Sequence, residues 1–145
     1  MRLALAEAEA AAAQGEVPVG ALVVREGRIL GRGRNAVERL KDPTAHAEML
    51  AITAACTALD DRRLTGCTLV VTLEPCPMCL GAALNARLDR IVYAAPEPKF
   101  GACGSRVDLR AIPGYNHRCQ VDSGVLAEQS ADLLRGFFRG LRRQS

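Results

Sequence analysis

The sequence predicts an α/β fold in which a mixed sheet of about five strands lies between layers of helices. An Ala-rich helical segment precedes two β-favouring segments near the N-terminus. A strand–helix–strand pattern follows in residues 68–94, and an amphipathic segment closes the sequence. The 145 residues are 49% hydrophobic, which is enough for a sizeable core, so we expect one domain spanning residues 1–145.

The N-terminal half predicts two helices with a hairpin between them. Residues 3–14 lack Gly and Pro, and Gly15 follows where a C-terminal cap belongs. Residues 17–35 predict two strands joined by a tight turn at Glu26-Gly27, with Gly31 and Gly33 weakening the second strand. A polar loop is expected at 36–44, and a second helix at 45–59, opening near His46.

The C-terminal half predicts a crossover followed by a long helix. The apolar segment 68–73 has the composition of a buried central strand. A helix at 78–88 and a strand at 90–94 follow, and this spacing favours a right-handed parallel crossover. We expect a loop after residue 96, a weak strand near 118–121, and a last helix at 125–142 with six large apolar residues near one face.

Composition excludes several classes of protein. The longest nearly uncharged apolar segment is 17–24, far short of the roughly 20 residues that span a bilayer. Glu7 and Glu9 interrupt the place where a signal peptide has its apolar core, so we expect a cytoplasmic protein with no membrane partner. The net charge of +3 permits an anionic partner without requiring one. With no secretory signal, the six cysteines favour metal or catalytic use over disulfides.

Two short motifs carry candidate chemistry, and each begins a predicted helix. The first is His46-Ala47-Glu48, and the second is the PCPMC segment of residues 75–79. Cysteines three residues apart in a first helical turn point the same way, so Cys76 and Cys79 can share a tetrahedral zinc with His46 as the third ligand. Three protein ligands leave a position for water, which is typical of a catalytic zinc site. Glu48 is then the free carboxylate for acid–base work.

A closed, structural zinc site is the alternative to this interpretation. It requires a fourth protein ligand, and the available candidates are Cys67, Cys103, Cys119 and His117. None of them has metal-ligand spacing to a partner in the sequence. Cys56 and Cys67 are better explained as core residues, and we expect Cys103 and Cys119 to play no part in the site.

The motif H-x-E followed by P-C-x-x-C resembles the signature of the zinc-dependent nucleoside and nucleobase deaminases. The similarity to one branch of them, the bacterial tRNA-specific adenosine deaminases, covers nearly the whole chain. It is carried by EVPVGA (16–21), DPTAHAE (42–48), VTLEPCPMC (71–79), ARLDRIVY (86–93), PKFGACGS (98–105), NHR (116–118) and GVLAEQSADLLRGFFR (124–139).

This resemblance implies a cytidine-deaminase-like fold and the hydrolysis of adenosine to inosine at the wobble position of a tRNA anticodon loop. It further implies a homodimer with one zinc per subunit, held by His46, Cys76 and Cys79, with Glu48 as the catalytic proton carrier. Substrate contacts are implied at Asn35, Glu97 and Lys99. Glu97 stands where the family commonly has Asp, so its carboxylate reaches one methylene further.

The last predicted helix adds a possible binding surface for RNA. Its basic residues Arg135, Arg139, Arg142 and Arg143 accompany Phe137 and Phe138. Arginine for phosphates and aromatic rings for stacking are how proteins hold single-stranded loops, although both rings could equally be core residues. Two other functions stay open: deamination of a free base or nucleoside such as guanine, cytosine or cytidine, and a non-catalytic zinc-stabilised binding module.

Overall fold

The computed structural model describes residues 1–145 and contains one five-stranded mixed sheet flanked by helices, which confirms the predicted fold class. The elements in chain order are α1 (Arg2–Ala13), β1 (Gly20–Arg25), β2 (Arg28–Arg34), α2 (Val37–Leu40), α3 (Ala47–Leu59), β3 (Thr68–Leu73), α4 (Pro77–Asn85), β4 (Arg90–Ala95), a 3-10 turn (Leu109–Ala111), β5 (Gln120–Ser123) and α5 (Ala127–Gln144). None of the helices has the length and apolar character that a membrane span requires.

The sheet joins an antiparallel half to a parallel half. Its strand order is β2-β1-β3-β4-β5, so the predicted central strand β3 is indeed central. β1 pairs antiparallel with both β2 and β3, while β3, β4 and β5 run parallel. The parallel pairing of β3 with β4, which α4 connects, confirms that the predicted crossover is parallel. It also places the end of β3 and the start of α4 at one edge, where α/β proteins commonly bind ligands.

The predicted turn at Glu26-Gly27 joins β1 to β2. Both turn residues have positive φ, 51° and 76°, as the tight hairpin turn that matches strand twist requires. Glycine meets that requirement at no steric cost, whereas Glu26 is one of five non-glycine residues with positive φ. The hairpin prediction is therefore confirmed.

Gly31 and Gly33 have a different role from the predicted one. Both lie under α3, where a Cβ atom would come within 2.3 Å of the Ala51 carbonyl oxygen and 2.1 Å of the Ala47 carbonyl oxygen. Real Cβ atoms do not approach so closely, so only glycine lets this helix rest on β2. The two glycines do not simply weaken the strand, because they set the depth of the helix that carries His46 and Glu48.

Helices cover both faces of the sheet, which gives the three expected layers. α3 packs on β1 and β2 and also touches α4, whereas α1 and α5 contact each other and the opposite face. The core between them is aliphatic and contains Leu64, Leu69, Leu80, Leu88 and Ile91, each fully buried. Cys67, Cys103 and Cys119 belong to this core, and Cys56 packs against it.

The structure departs from the sequence prediction at element ends and in two loops. The segment predicted as a polar loop at 36–44 contains the single-turn helix α2. The weak strand expected near 118–121 is β5, shifted two residues towards the C-terminus. α4 ends at Asn85 instead of residue 88, because Arg87 has positive φ (62°) and cannot continue the helix. All three differences depend on tertiary hydrogen bonds or backbone geometry that side-chain periodicity does not report.

Candidate active site

His46, Cys76 and Cys79 come together at the N-terminal ends of two helices. His46 is the N-cap residue of α3, Cys76 is the N-cap residue of α4, and Cys79 lies in the first turn of α4. The His46 Nδ1 atom is 3.6 Å from the Cys76 Sγ atom and 3.5 Å from the Cys79 Sγ atom. All three donor atoms lie within 4.8 Å of one another. The structure thus brings together residues 30 and 33 positions apart in the chain, as the sequence predicted.

These distances fit a tetrahedral metal. Zn–S bonds of about 2.3 Å and a Zn–N bond of about 2.0 Å, meeting at tetrahedral angles, separate sulfur from nitrogen by about 3.5 Å. The two observed separations, 3.5 and 3.6 Å, match that edge length. Two thiolates and one imidazole are also a donor set that zinc prefers. The chemistry and the spacing of the site therefore suit zinc.

The proposed fourth ligands for a closed site lie elsewhere. Cys67, Cys103 and Cys119 are buried in the core and do not join the cluster. His117 places its Nε2 atom 2.7 Å from the Leu88 carbonyl oxygen, at the start of the loop before β4. With three protein ligands only, the cluster has the composition of a catalytic site.

The titratable side chains of the cluster shift one another's pKa. A hydrogen bond from Cys79 stabilises the Cys76 thiolate, and the neighbouring His46 adds to the effect, so the pKa of Cys76 falls to about 4. The same bond and burial raise the pKa of Cys79. The hydrogen bond to Cys76 also raises the pKa of His46. The partial positive charges of two helix N-termini favour the thiolate in addition. The site is therefore set up to hold a cation.

Glu48 lies beside the cluster in the first turn of α3 and is only 4% exposed. Burial raises the pKa of its carboxyl, because removal from water penalises the charged form. A carboxyl with a raised pKa takes up a proton more readily than an ordinary one, which suits a group that carries protons. Its position and its protonation chemistry suit the acid–base role that the sequence predicted.

A cavity of about 750 Å³ opens onto Glu48 and the cluster. Asn35 and Glu97, two of the three predicted substrate contacts, line it. The remaining wall is largely apolar and includes Val17, Val19, Val37, Leu73, Phe100, Phe137 and Leu141. A mostly apolar cavity with a few convergent polar groups is the usual form of a small-molecule binding site.

Lys99, the third predicted contact, lies outside this cavity. It borders a neighbouring groove of about 580 Å³ together with Leu134, Arg135, Phe138, Arg139 and Arg142. Phe137 and Phe138 have edge-to-face rings 5.4 Å apart, yet Phe137 faces the cavity and Phe138 borders the groove. Neither ring is a buried core residue, which answers the question that the sequence left open about this pair.

Two buried carboxylates of the cavity wall escaped the sequence analysis. Glu16 is 2% exposed and accepts hydrogen bonds from the backbone N–H groups of Glu38 (3.2 Å) and Arg39 (2.7 Å), so it caps α2, which begins two residues after Asn35. Glu74 is 2% exposed and accepts hydrogen bonds from the segment 97–105. The only sequence feature that could have indicated them is that each is a single acidic residue with apolar neighbours.

Comparison with known proteins identifies relatives over nearly the full length. The MafB19-like deaminase family model matches residues 1–142. A tRNA-specific adenosine deaminase of Bacillus subtilis is 46% identical over 144 residues, covering 99% of this chain and 89% of that protein. A solved structure from a study of A-to-I editing by tRNA deaminases at the wobble position has a TM-score of 0.90 and 46% identity, covering 92% of this chain and 97% of that chain.

A solved guanine deaminase from Nitrosomonas europaea is also similar, but less so. Its TM-score is 0.81 and its identity 27%, with 94% of this chain and 81% of that chain covered. Both the identity and the superposition are thus higher for the tRNA deaminase structure. The resemblance read from the sequence motifs is confirmed: the chain belongs to the deaminase family and, within it, to the tRNA-specific adenosine deaminases.

Proposed function

We propose that this chain hydrolyses adenosine to inosine at the wobble position of a tRNA anticodon and that residues 1–145 form one catalytic domain. The observation that carries the proposal is the buried Glu48 beside the His46–Cys76–Cys79 cluster, in the wall of a cavity that has a basic groove next to it. The first feature supplies deamination chemistry, and the second selects an anionic polymer as substrate.

We assign one zinc ion per subunit to His46, Cys76 and Cys79. When bound there, zinc supplies the Lewis acidity that makes water a nucleophile at neutral pH. Because the two thiolates cancel its formal charge, the site depends on the helix N-termini and on Glu48 to favour loss of a proton from water. The protein groups around the metal are therefore part of the proposed chemistry.

The role of Glu48 follows from the proton balance. Water adds its oxygen to C6 of adenine, the C6–amino bond breaks, and ammonia leaves. Of the two water protons, one ends on the ring nitrogen N1 and the other on ammonia, so a single group that takes and returns protons serves both transfers. We assign both transfers to Glu48, which is buried beside the cluster and whose pKa is raised by that burial.

The cavity walls offer contacts for the base. Asn35 is held by a 3.1 Å hydrogen bond from its backbone N–H to the Val19 carbonyl, and its side chain carries both a donor and acceptors. We assign it to a polar edge of the base. Glu97 accepts a hydrogen bond from the Lys99 backbone N–H (2.9 Å), which shapes the turn that directs Lys99 towards the groove. Glu97 and Lys99 are assigned to the neighbouring nucleotides.

An RNA loop is favoured over a free base by the surface beside the cavity. Lys99, Arg135, Arg139 and Arg142 border a groove next to exposed Phe138, an arrangement suited to phosphates and a stacked base. A free base or nucleoside, the second candidate, needs none of these residues. Similarity to the guanine deaminase structure keeps that candidate testable.

We further propose that the protein is a homodimer. Support comes from the resemblance and from exposed apolar side chains on the segment after the 97–105 loop: Val107, Ile112 and Tyr115 are 45%, 46% and 42% exposed. Burying such a group against a second copy would remove apolar surface from water. Light scattering coupled to gel filtration should return about twice the mass of 15.5 kDa for the chain, and the monomer mass would contradict the assignment.

The substrate is tested by incubating zinc-loaded protein with an anticodon stem-loop that carries adenosine at the wobble position. Parallel reactions contain free adenosine, cytidine, cytosine and guanine, and mass spectrometry scores deamination. The Glu48→Ala variant is the blank. We expect inosine in the stem-loop alone. Turnover of a free base with an unchanged stem-loop would keep the chemistry and overturn the substrate.

A further inference from the structure

Glu74 is a buried carboxylate whose partners all belong to one loop. It follows β3 directly, two residues before Cys76, and is 2% exposed. Its oxygens accept hydrogen bonds from the backbone N–H groups of Glu97 (3.1 Å), Cys103 (3.0 Å) and Ser105 (3.1 Å). The Ser105 hydroxyl donates a fourth. One carboxylate thus gathers donors from both ends of the segment 97–105.

The loop is shaped to fit this carboxylate. A Cβ atom at Gly101 would lie 2.4 Å from both the Cδ and the Oε2 atoms of Glu74, so only glycine fits there. Gly101 donates its N–H to the Glu97 carbonyl (2.8 Å), and Ala102 donates to the Pro75 carbonyl (2.8 Å). The loop therefore closes around Glu74 and is also bonded to the segment that leads into Cys76.

The opposite side of the same loop faces the substrate region. Phe100 is 66% exposed, and it lines the cavity together with Glu97. Lys99 borders the basic groove. The inner side of the loop is hydrogen-bonded to Glu74, whereas Phe100 on its outer side is exposed. The position of Lys99 and Phe100 relative to the metal cluster therefore depends on Glu74.

We propose that Glu74 is a positioning residue for substrate specificity: it holds the segment 97–105 where Lys99 and Phe100 bind the nucleotides that flank the target adenosine. This role rests on the proposed function, because it requires an RNA substrate. Glu74 is the residue that positions the RNA-binding side of the cavity. Glu74 is one of the residues that line the cavity, but its four hydrogen bonds all go to the loop, so in this assignment it acts on the RNA through the loop and not by direct contact. Its loss should weaken capture of the RNA loop more than it slows the chemical step.

The deciding experiment compares Glu74→Gln with the wild-type protein. Glutamine keeps the size but turns an amide N–H₂ towards donors that need an acceptor. On the wobble-adenosine stem-loop we expect KM to rise at least tenfold while kcat changes less than threefold and zinc content stays the same. Hydrogen–deuterium exchange should accelerate at 97–105 and stay unchanged in α3. Glu9→Gln, on the exposed face of α1, is the matched control for loss of one carboxylate.

Two further variants keep the inference falsifiable. Ser105→Ala removes one hydroxyl donor to Glu74. Because Ser105 is exposed, this variant should fold even if Glu74→Gln does not, and it should raise KM by a smaller factor. Glu74→Asp keeps the charge and should recover part of the lost affinity for the stem-loop. The assignment would be overturned if Glu74→Gln left both KM and hydrogen exchange at 97–105 unchanged. It would also be overturned if kcat fell by as large a factor as KM rose and the variant lost zinc.

Failure of the proposed function gives a different result. If the wild-type protein leaves the stem-loop unchanged, the substrate itself is wrong, and this assignment falls with it. If the wild-type protein edits the stem-loop and Glu74→Gln has the same KM as the wild type, the proposed function stands and the positioning role of Glu74 is wrong.

Discussion

The two sides of the cavity are built in opposite ways. The inner wall, residues 46–48 and 76–79, consists of two helix N-termini, and its Glu48 and Cys79 are almost fully buried. The outer wall, the segment 97–105 with α5, is largely exposed and rich in Arg. Chemistry that needs a fixed metal and a dry carboxyl requires the first kind of wall, whereas a long charged substrate requires the second.

The same contrast separates two buried glutamates only 26 positions apart. Burial raises the pKa of Glu48, which suits a group that exchanges protons. Glu74 accepts four hydrogen bonds and is thereby committed to holding a loop. Burial alone does not distinguish a candidate proton carrier from a structural anchor; the four hydrogen bonds from the loop are what set Glu74 apart.

The largest expected effect comes from Glu48→Gln in the inner wall. The amide cannot carry protons, so kcat on the stem-loop should fall by about 10³-fold or more. Binding of the stem-loop and zinc content should be retained, because Glu48 is not among the clustered donor residues. Single-turnover kinetics, fluorescence anisotropy and atomic absorption measure the rate, the binding of the stem-loop and the zinc content. A rate within tenfold of the wild type would refute the proton-carrier role.

Loss of a metal ligand should be nearly as severe. Cys76→Ala removes one of the three clustered donors and leaves Cys79 and His46 unable to complete the site. We expect loss of both zinc and turnover, together with a lower Tm. Atomic absorption and thermal unfolding measure these changes, and chelation of the wild-type protein should reproduce them reversibly on adding zinc back. Full zinc occupancy in the variant would contradict the ligand assignment.

Gly33→Ala tests whether the inner wall depends on the close approach of α3 to β2. The added methyl would meet the Ala47 carbonyl oxygen at 2.1 Å, so the helix must shift. We expect the free energy of unfolding in urea to fall by about 1–3 kcal/mol, with reduced turnover.

Gly136→Ala is the matched control for that change. Gly136 lies within α5, where a Cβ atom meets nothing within 4 Å. The substitution should stabilise the helix by about 0.5–1 kcal/mol. Equal destabilisation by both variants would show that the contact under α3 is not what Gly33 provides.

The smallest expected effect is in the outer wall. Arg139→Ala removes one cation from the groove, so KM for the stem-loop should rise severalfold while kcat stays close to that of the wild type. If Arg139 contacts one phosphate, the slope of log affinity against log salt should become shallower by about 0.7. Arg28→Ala, at the exposed start of β2, is the control. Identical salt slopes for all three proteins would place the RNA elsewhere.

The features that could be predicted from the sequence are those with a local signal. The hairpin turn at Glu26-Gly27, the helix that begins at His46 and the Cys76/Cys79 pair are each specified within a few residues. The roles that could not be predicted belong to residues whose contacts are distant in the chain. Gly33 faces a helix beginning 14 positions later, and Glu74 binds donors 23 to 31 positions away. The roles of Asn35, Glu97 and Lys99 remain predictions.

The sequence by itself predicted the order of the five strands and the four longer helices along the chain, the candidate zinc ligands, the candidate acid–base carboxyl and the similarity to deaminases. Periodicity, capping residues and ligand spacing express these features over short stretches of chain. Only the tertiary structure decided that His46 presents Nδ1 at 3.5 and 3.6 Å from the two sulfurs, that Lys99 lies outside the cavity, and that Glu74 holds the loop beside it. Those properties depend on how closely remote segments pack, which no local pattern encodes.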